Sequence, residues 1–306
     1  MTEEGDRAGR ASRRQRLLAS DHVAGWGFAS PAFVLIAVFG VAPILWSVVL
    51  SFQKNNLLTK GTWIGFDNYE RLMRDPLFAD SVQRTVWYTA LFVPISIVLS
   101  LAVAVALDRK LWFIRLYRTA IFLPVVASTV AEAILFNWLL DPYYGIVNVV
   151  LDKFGIAPQG FFQNPSQALY CIVAMTVWGW LGFCVIIYLA ALQGIPRELT
   201  EAAAIDGASR WRVFQRVQLP LLGPTTLFLV VYLSINALQL FDEIYVTTRG
   251  GPLMSTSVVV YYLYQQAFQF FEGGYATAIA YVLFLGILLL TIVQLLIGRR
   301  FVHYRS

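Results

Sequence analysis

Cysteine and histidine are scarce in this sequence, and their scarcity excludes several kinds of site. The 306 residues include two cysteines and two histidines. Cys171 and Cys184 lie in the same apolar segment, so they give neither a disulfide framework nor a metal-ligand cluster. His22 and His303 lie near opposite ends of the chain, so no histidine-based site is visible. The phosphate loop G-x-x-x-x-G-K-[ST] is also absent, which removes the usual motif for ATP hydrolysis.

Charged residues are also few. Asp, Glu, Lys and Arg make up 13% of the chain, against about 25% in an ordinary soluble domain, and hydrophobic residues make up 58%. This composition excludes an ordinary soluble domain and predicts a membrane protein. The net charge of +5 could suggest a nucleic-acid partner. Its distribution along the chain fits membrane topology better, so we expect no nucleic acid.

Six long apolar segments predict an all-α membrane protein with six transmembrane helices, because a span needs about 20 predominantly apolar residues. The first segment is too long for the core of a signal peptide, so it predicts an uncleaved span that follows a basic tail at residues 1–27. The predicted spans are residues 28–52, 84–107, 119–140, 168–192, 219–247 and 275–297, and residues 301–306 form a short tail.

The distribution of basic residues predicts the orientation of these spans. With the N-terminus inside, 16 of the 23 Lys and Arg residues fall in inside segments and 7 fall in outside segments. Lys and Arg accumulate on the cytoplasmic side of membrane proteins. Both termini, and the polar segment at residues 196–218, are therefore predicted to be cytoplasmic.

The segment Glu201–Pro220, EAAAIDGASRWRVFQRVQLP, is a charged interruption between two apolar runs. We expect a short helix at residues 197–206 with Pro196 at its first position. Gly207 follows and can adopt the left-handed backbone that a sharp turn needs. The segment is therefore predicted to begin with a helix and a glycine elbow.

A second short helix is predicted after the elbow, with Ser209 as its N-cap. Val213, Phe214 and Val217 would share its apolar face. Pro220 is expected to close the segment where the next apolar run begins. Two interpretations remain open: the segment docks a soluble partner, or it is a solvated loop that joins two spans.

Glu132 lies near the middle of the third predicted span. A charged carboxylate at such a position costs roughly 2.5–3.5 kcal/mol on insertion scales, so the side chain must face protein or water, or be protonated. It is either a buried acid satisfied by a neighbouring span or a residue of a translocation path.

Further polar and aromatic residues lie in the fourth and fifth spans. The two tryptophans Trp178 and Trp180 lie mid-span, where a ring can stack on a sugar, although helix packing is the better interpretation of Trp178. In the fifth span the helical spacing predicts a polar stripe, which consists of Asn236, Gln239, Asp242 and Glu243. Such side chains can hydrogen-bond sugar hydroxyls, but the two acids can also simply mark the outer membrane surface.

The sequence EAAAIDGAS, with LP at Leu219-Pro220, resembles the EAA motif of ABC importer permeases. The Asp before the glycine is similar to the carbohydrate-uptake branch, with its maltose-type and glycerol-3-phosphate-type permeases. The likeness covers roughly residues 28–300 and implies the type I ABC importer permease fold. It also implies that this segment is a coupling helix in a cleft of a cytoplasmic ATPase subunit. The motif residues that carry this role are Glu201, Ala202, Ala203, Ala204, Ile205, Asp206, Gly207 and Ala208.

The resemblance also implies a set of residues that line the solute path. Positions similar to the maltose-type pathway fall at or near Glu132, Thr176, Gly179, Trp180, Asn236, Gln239 and Leu240, and Asp242 of the polar stripe is added to them. The acid at Glu132 and the bulky ring at Trp180 depart from the maltose-type pattern, so the solute need not be maltose.

The assembly implied by the resemblance contains a second six-span permease, two copies of an ATPase and an extracytoplasmic solute-binding protein, set in the lipid of the plasma (inner) membrane. This chain would bind no cofactor and would not be an enzyme, because the partner ATPase binds ATP and Mg. It would form half of the path for a sugar or sugar-like solute.

Three alternatives remain open. The solute could be glycerol-3-phosphate or a glycerophosphodiester, although the absence of Lys and Arg among the mid-span candidates favours a neutral sugar. An ion-coupled secondary carrier is the second alternative, but the chain has no obvious inverted repeat. A membrane-embedded enzyme that uses Glu132 is the third, and it lacks a convincing second catalytic group.

Overall fold

A computed structural model of the chain describes residues 21–56, 60–108 and 114–301. Most of the predicted basic tail and the last residues of the chain therefore lie outside the described residues. Helices dominate the fold, as expected for segments that must satisfy every backbone hydrogen bond within lipid. In chain order the helices up to the second long one are α1 (Asp21–Leu35), α2 (Ala42–Ser51), α3 (Asp67–Arg74) and α4 (Pro76–Leu107).

The central part of the chain continues with shorter and bent elements. These are α5 (Ile114–Val126), α6 (Thr129–Leu139), α7 (Ile146–Lys153), α8 (Ala168–Gln193), α9 (Arg197–Ile205), α10 (Arg210–Val213), α11 (Leu219–Leu221) and α12 (Gly223–Leu238). The chain then forms α13 (Asp242–Thr247), α14 (Val259–Tyr264) and α15 (Gly273–Phe301). π-Helical turns join α1 to α2, α10 to α11, and extend α14.

The all-α prediction is wrong in one detail. A two-stranded antiparallel ladder joins β1 (Gln53–Lys54) to β2 (Thr62–Trp63) after the first apolar helix. The ring of Phe52 stacks on Trp63 at 5.6 Å beside it. Aromatic cross-strand packing of this kind accounts for so short a ladder.

Within the described residues, four helices are long and apolar enough to cross a membrane, and two bent pairs bring the number to six if each pair is one span. The four helices lie at Gly25–Ser51, Pro76–Leu107, Ala168–Gln193 and Gly273–Gly298. The bent pairs are Leu116–Val126 with Thr129–Leu139, and Arg210–Leu221 with Gly223–Leu238. The apolar segments thus coincide with helices, and six spans remain a prediction.

The third predicted span is not one straight helix, which corrects the expectation for residues 119–140. α5 and α6 meet at 103°. Ser128 adopts an extended backbone between them, and its Oγ accepts a hydrogen bond from the Ala131 amide at 3.3 Å. A serine cap starts a new helix axis here, so the chain turns sharply instead of continuing.

The fifth predicted span is also broken. The helical run from Arg210 continues through Pro220 to Leu221, and the axis then bends by 63° before α12. Pro220 therefore does not close the polar segment as predicted. The new helix axis begins at Gly223 and carries Pro224 in its first turn, where proline is tolerated because the amides there have no partner within the helix.

The hydrophobic core lies where α4, α8 and α12 pack together. Its largest fully buried side chains include Tyr88 and Phe92 from α4, Tyr188 from α8 and Leu233 from α12. In contrast, α1, α2 and much of α15 expose large apolar side chains. Such surfaces suit contact with lipid or with another membrane subunit.

Candidate functional site: a membrane cavity and a bent polar segment

A cavity of about 210 Å³ lies at the point where α12 ends and α13 begins. Five helices supply its walls, because the broken chain between α12 and α13 faces α4, α6 and α8. The lining residues are Tyr88, Phe92, Thr129, Trp180, Asn236, Ala237, Gln239, Leu240, Phe241, Asp242 and Glu243.

The prediction that four polar residues lie along one helix is wrong. α12 ends at Leu238, and the chain is non-helical from Gln239 to Phe241 before α13 starts. Phe241 has an extended φ of −142°, so the Gln239–Phe241 stretch cannot continue the helix. The four stripe residues nevertheless reach one place, since all of them line the cavity.

The amide of Asn236 is oriented by its own helix. Its Nδ2 donates to the backbone oxygen of Tyr232 at 2.8 Å. Gln239 is exposed at the break. A fixed amide and an accessible one, both of which can donate and accept, suit a ligand with several hydroxyl groups.

Trp180 is half-buried and is held by edge contacts to two other rings. Its centroid lies 5.7 Å from that of Phe183 and 5.8 Å from that of Tyr232. Trp178 instead packs against Phe136 at 5.5 Å and is not among the residues that line the cavity. The two mid-span tryptophans thus have different environments, and packing accounts for Trp178.

Glu132 lies in the first turn of α6, directly against α8. A Cβ atom on Gly179 would overlap with Oε2 of Glu132, so the missing Cβ lets the carboxylate lie directly on the backbone of α8. The first turn of a helix is a favourable place for a carboxylate, because unpaired backbone amides lie there. Neither Glu132 nor Gly179 is among the residues that line the cavity, although Trp180, the next residue on α8, is.

Thr176 and Leu240 are buried and act differently from the other path candidates. The hydroxyl of Tyr88 donates to Oγ1 of Thr176 at 2.9 Å, and Thr176 donates in turn to the Ile172 backbone. Thr176 does not line the cavity and instead positions Tyr88. Leu240 does line it, with 4% of its surface exposed.

Sequence reasoning missed Tyr88, Phe92 and Thr129. The rings of Tyr88 and Phe92 stack at 5.5 Å on one face of α4. Their spacing of four residues was a usable signal, since residues four apart share a helix face. Thr129 reaches the cavity only because of the break before α6.

The polar segment forms the predicted helix and elbow. Gly207 follows α9 with a φ of +76°, and the amides of Gly207 and Ala208 bond to the carbonyls of Ala204 and Ala203, both at 3.0 Å. This is the Schellman arrangement that ends a helix at a left-handed residue. The motif thus specifies a sharp helix end.

Two local expectations for this segment are wrong. Pro196 precedes α9 in an extended conformation and is not its first helical residue. Ser209 occupies the N-cap position of α10, but its side chain makes no capping hydrogen bond. The elbow is therefore fixed by glycine and the backbone, without help from the serine side chain.

The segment exposes two large apolar side chains close to the elbow. Ile205 is 86% exposed and Trp211 is 65% exposed. At its start, Arg197 lies close enough to Asp108, at the end of α4, to interact with it electrostatically. Burial raises the pKa of Asp108, and Arg118 and Arg197 partly offset this rise. A charged contact thus links the polar segment to a long helix.

Apolar helices around a small polar cavity, with a bent polar segment between them, define a multi-pass membrane transport protein. The chain matches the family model described as the binding-protein-dependent transport system inner membrane component over residues 72–303. It belongs to this family. The family is one of transport permeases and indicates no catalytic activity.

Two curated relatives cover almost the whole chain. This chain is 40% identical over 284 residues to the lactose transport system permease protein LacF of Rhizobium radiobacter, and the match covers 90% of this chain and 94% of the relative. It is 32% identical over 279 residues to the sn-glycerol-3-phosphate transport system permease protein UgpA of Yersinia pestis bv. Antiqua (strain Antiqua), with coverages of 90% and 94%.

A solved structure shares the fold. A chain of a bacterial ABC transporter involved in the import of the acidic polysaccharide alginate superposes with a TM-score of 0.82 at 24% identity, and the match covers 96% of this chain and 99% of that chain. The resemblance to ABC importer permeases is therefore confirmed, as is the prediction of a multi-pass plasma-membrane protein.

Proposed function

We propose that this chain is the permease subunit of an ATP-driven importer and forms half of the translocation path for a sugar or sugar-like solute. The observation that carries the proposal is the cavity at the break between α12 and α13. It combines amides, carboxylates and the Trp180 ring in one space of about 210 Å³. Sugars offer hydroxyl groups to the polar side chains and an apolar face to the ring.

The polar segment supports coupling to a soluble ATPase. Exposed Ile205 and Trp211 provide an apolar surface, and the helical run from Arg210 to Leu221 leads directly into α12. α12 ends at the cavity. Movement of the segment on a partner can therefore reach the solute path through one bent element.

Membership of the family supports the proposed assembly and topology. Each bent pair counts as one of six spans, and both termini lie in the cytoplasm. A second six-span permease completes the path, and an extracytoplasmic binding protein delivers the solute. Two ATPase copies bind ATP and Mg, while this chain binds no cofactor. The exposed apolar face of Gly25–Ser51 is available for lipid or the second permease.

A glycerol-3-phosphate importer is the second candidate, and it is favoured by the similarity to UgpA. No Lys or Arg, the residues that bind phosphate, is among the described residues that line the cavity, which favours the sugar.

Transport by the complete importer in right-side-out vesicles loaded with ATP tests the proposal. We expect accumulation of a sugar that requires the binding protein and hydrolysable ATP. Dissipation of ion gradients at constant ATP should leave it intact. Accumulation that continues without the ATPase but stops when the gradients are removed would instead establish a secondary carrier.

A further inference from the structure

A second cleft, of about 580 Å³, lies outward of the cavity. α6 reaches the cavity with its first residue, Thr129, and the cleft with Trp138 in its last turn. α13 likewise reaches the cavity with Asp242 and the cleft with Thr247. Both helices end where the predicted topology places the chain outside, so the cleft lies at the outer mouth of the proposed path.

The cleft and the cavity are joined by this one pair of helices. α6 packs against α13, and Nδ2 of Asn137 donates to the backbone oxygen of Val246 at 3.4 Å near the cleft. From Thr129 to Trp138 the helix rises about 13 Å. The two spaces therefore lie in series, at the two ends of the same helix pair.

Exposed aromatic rings form one side of the cleft. Trp138 is 70% exposed and Tyr144 is exposed as well, although both line a concave space. A ring with a free face can stack on the apolar face of a sugar. Trp and Tyr also settle at membrane surfaces as anchors, so the rings alone do not assign the cleft.

Polar groups around the rings distinguish a saccharide site from a membrane anchor. Asn137 keeps its Oδ1 oxygen as an acceptor, and the amide of Gln163 is exposed in the cleft. The hydroxyl of Thr247 donates to the Glu243 backbone and can still accept. Such groups donate to and accept from sugar hydroxyls. A space of about 300–1,000 Å³ with aromatic walls and a few convergent polar groups is typical of small-molecule sites.

The charges of the cleft suit a neutral solute. No Lys, Arg or His is among the lining residues that the structure describes. The carboxylate among them is Asp141, whose Oδ1 accepts the amides of Tyr143 and Tyr144 at 2.8 and 3.2 Å. Asp141 thus shapes the turn that carries Tyr144, and the cleft offers hydrogen bonds and stacking to a solute.

We propose that this cleft is a second saccharide subsite, which binds a sugar unit on the Trp138 ring before the solute reaches the cavity. Trp138 stacks on the unit, and Asn137, Gln163 and Thr247 hydrogen-bond its hydroxyl groups. The cleft receives the solute on the outer side, and the cavity takes it within the membrane. The cleft has this role only within the sugar path, so the proposal rests on the proposed function.

Protection of a thiol in the cleft tests the subsite. Gln163→Cys is introduced after replacement of Cys171 and Cys184, and the purified permease–ATPase complex is labelled with a hydrophilic thiol reagent in the absence of the binding protein. The probe is the sugar that the complete importer accumulates fastest from a panel of neutral mono-, di- and trisaccharides of glucose, galactose and arabinose. We expect about 100 mM of this sugar to slow labelling at least about threefold, which corresponds to a Kd of about half that concentration or less.

Two substitutions of Trp138 identify the ring as the binding group. Trp138→Ala should abolish the protection because the stacking face is lost, whereas Trp138→Phe should keep most of it because an aromatic face remains. The Trp138 side chain is exposed, so neither substitution should disturb the fold. Tyr143→Cys is the matched control, since Tyr143 is exposed in the same turn and does not line the cleft. We expect the sugar to leave its labelling rate unchanged.

The outcomes separate the two proposals. Equal labelling of Gln163→Cys with and without a sugar that the importer accumulates overturns the subsite, leaves the sugar path intact and makes Trp138 and Tyr144 membrane anchors. Protection that persists in Trp138→Ala, that is lost equally in Trp138→Phe, or that extends to Tyr143→Cys also overturns the subsite. Accumulation of no sugar of the panel overturns the proposed sugar path instead.

Discussion

Individual side chains fix the cavity through close contacts between helices. Glu132 is held against α8 because position 179 has no Cβ, and Tyr88 is held by a hydrogen bond to Thr176. Neither contact is visible in the composition of a single span. The sequence identified Glu132, Gly179 and Thr176 as path candidates, and none of the three is among the residues that line the cavity.

The Gly179→Ala substitution tests the contact with Glu132. A new methyl group would overlap with the carboxylate, which is the far end of a flexible side chain, so the shift that it forces costs less than the about 1–3 kcal/mol of overpacking between rigid groups. We therefore expect the purified complex to have a melting temperature below that of the Gly286→Ala control. Gly286→Ala is the matched control, since a Cβ there meets nothing within 4 Å. Alanine is intrinsically better than glycine in a helix, so the control should be neutral or slightly stabilising, and equal effects at both sites would contradict the contact.

Asp75, which lies outside the predicted spans, allows a prediction about how the stability of the protein depends on pH. Its Oδ2 accepts from Tyr262 at 2.6 Å and from Tyr275 at 2.5 Å, and its Oδ1 accepts from the amides of Leu77 and Phe78. Burial raises the pKa of Asp75, but these four hydrogen bonds together hold it below its usual value of 3.8. The ionised carboxylate thus ties α14 and α15 to the start of α4.

A carboxyl group whose pKa is lower in the folded than in the unfolded protein stabilises the fold at pH values above its unfolded pKa. This stabilisation is lost as the pH falls through the folded pKa. Asp75→Asn should therefore lower the melting temperature at pH 7, and the difference from wild type should shrink below about pH 4. Asp80→Asn, at an exposed residue of α4, is the control. A difference that is constant with pH would exclude ionisation of Asp75 as the cause.

The elements show which features a sequence can predict here. Long apolar runs predicted helices correctly, because a hydrophobic run of sufficient length has few other stable forms in lipid. The 103° turn before α6 and the break after Leu238 were not predicted. Both depend on tertiary contacts, and the second has no proline or glycine at Gln239–Phe241 to mark it. The polar stripe was therefore placed on the wrong element although its residues converge.

The elbow at Gly207 is the element whose conformation can be tested most simply. Its φ of +76° costs about 1–2 kcal/mol for a residue with a Cβ, and more for a β-branched residue. A Cβ at this position would meet nothing within 4 Å, so a substitution strains only the backbone. We expect Gly207→Val to reduce ATP-driven uptake strongly while the complex still inserts. Gly207→Asn should keep most uptake, because Asn tolerates this backbone. Equal uptake by both variants would show that coupling does not depend on the left-handed conformation at the elbow.

At the scale of the whole molecule, the surface divides into apolar faces for membrane contact and a small exposed polar segment. The family and the multi-pass location were predictable from the sequence, because the motif and the apolar runs are local features. The six-span topology with cytoplasmic termini stays a prediction. It places Ile205 and Trp211 on the same side as the proposed ATPase.

Ile205→Asp tests this surface. The side chain is 86% exposed, so the substitution should not disturb the fold, but a charge buried in an apolar interface is costly. We expect less ATPase to co-purify with the permease. Leu253→Asp is the matched control, since Leu253 is 87% exposed on the loop between α13 and α14. Equal ATPase recovery from both variants would place the docking surface elsewhere.

The most direct test of the account is whether the carried sugar occupies the cavity. Gln239→Cys would place a thiol at an exposed lining position, in a background in which Cys171 and Cys184 are replaced by serine and alanine. Labelling by a hydrophilic thiol reagent is then followed in the working importer with and without the sugar. The account predicts slower labelling at Gln239→Cys when the sugar is present and no change at Tyr143→Cys, which is exposed outside the cavity. Identical labelling rates at Gln239→Cys with and without a sugar that is being imported would contradict it.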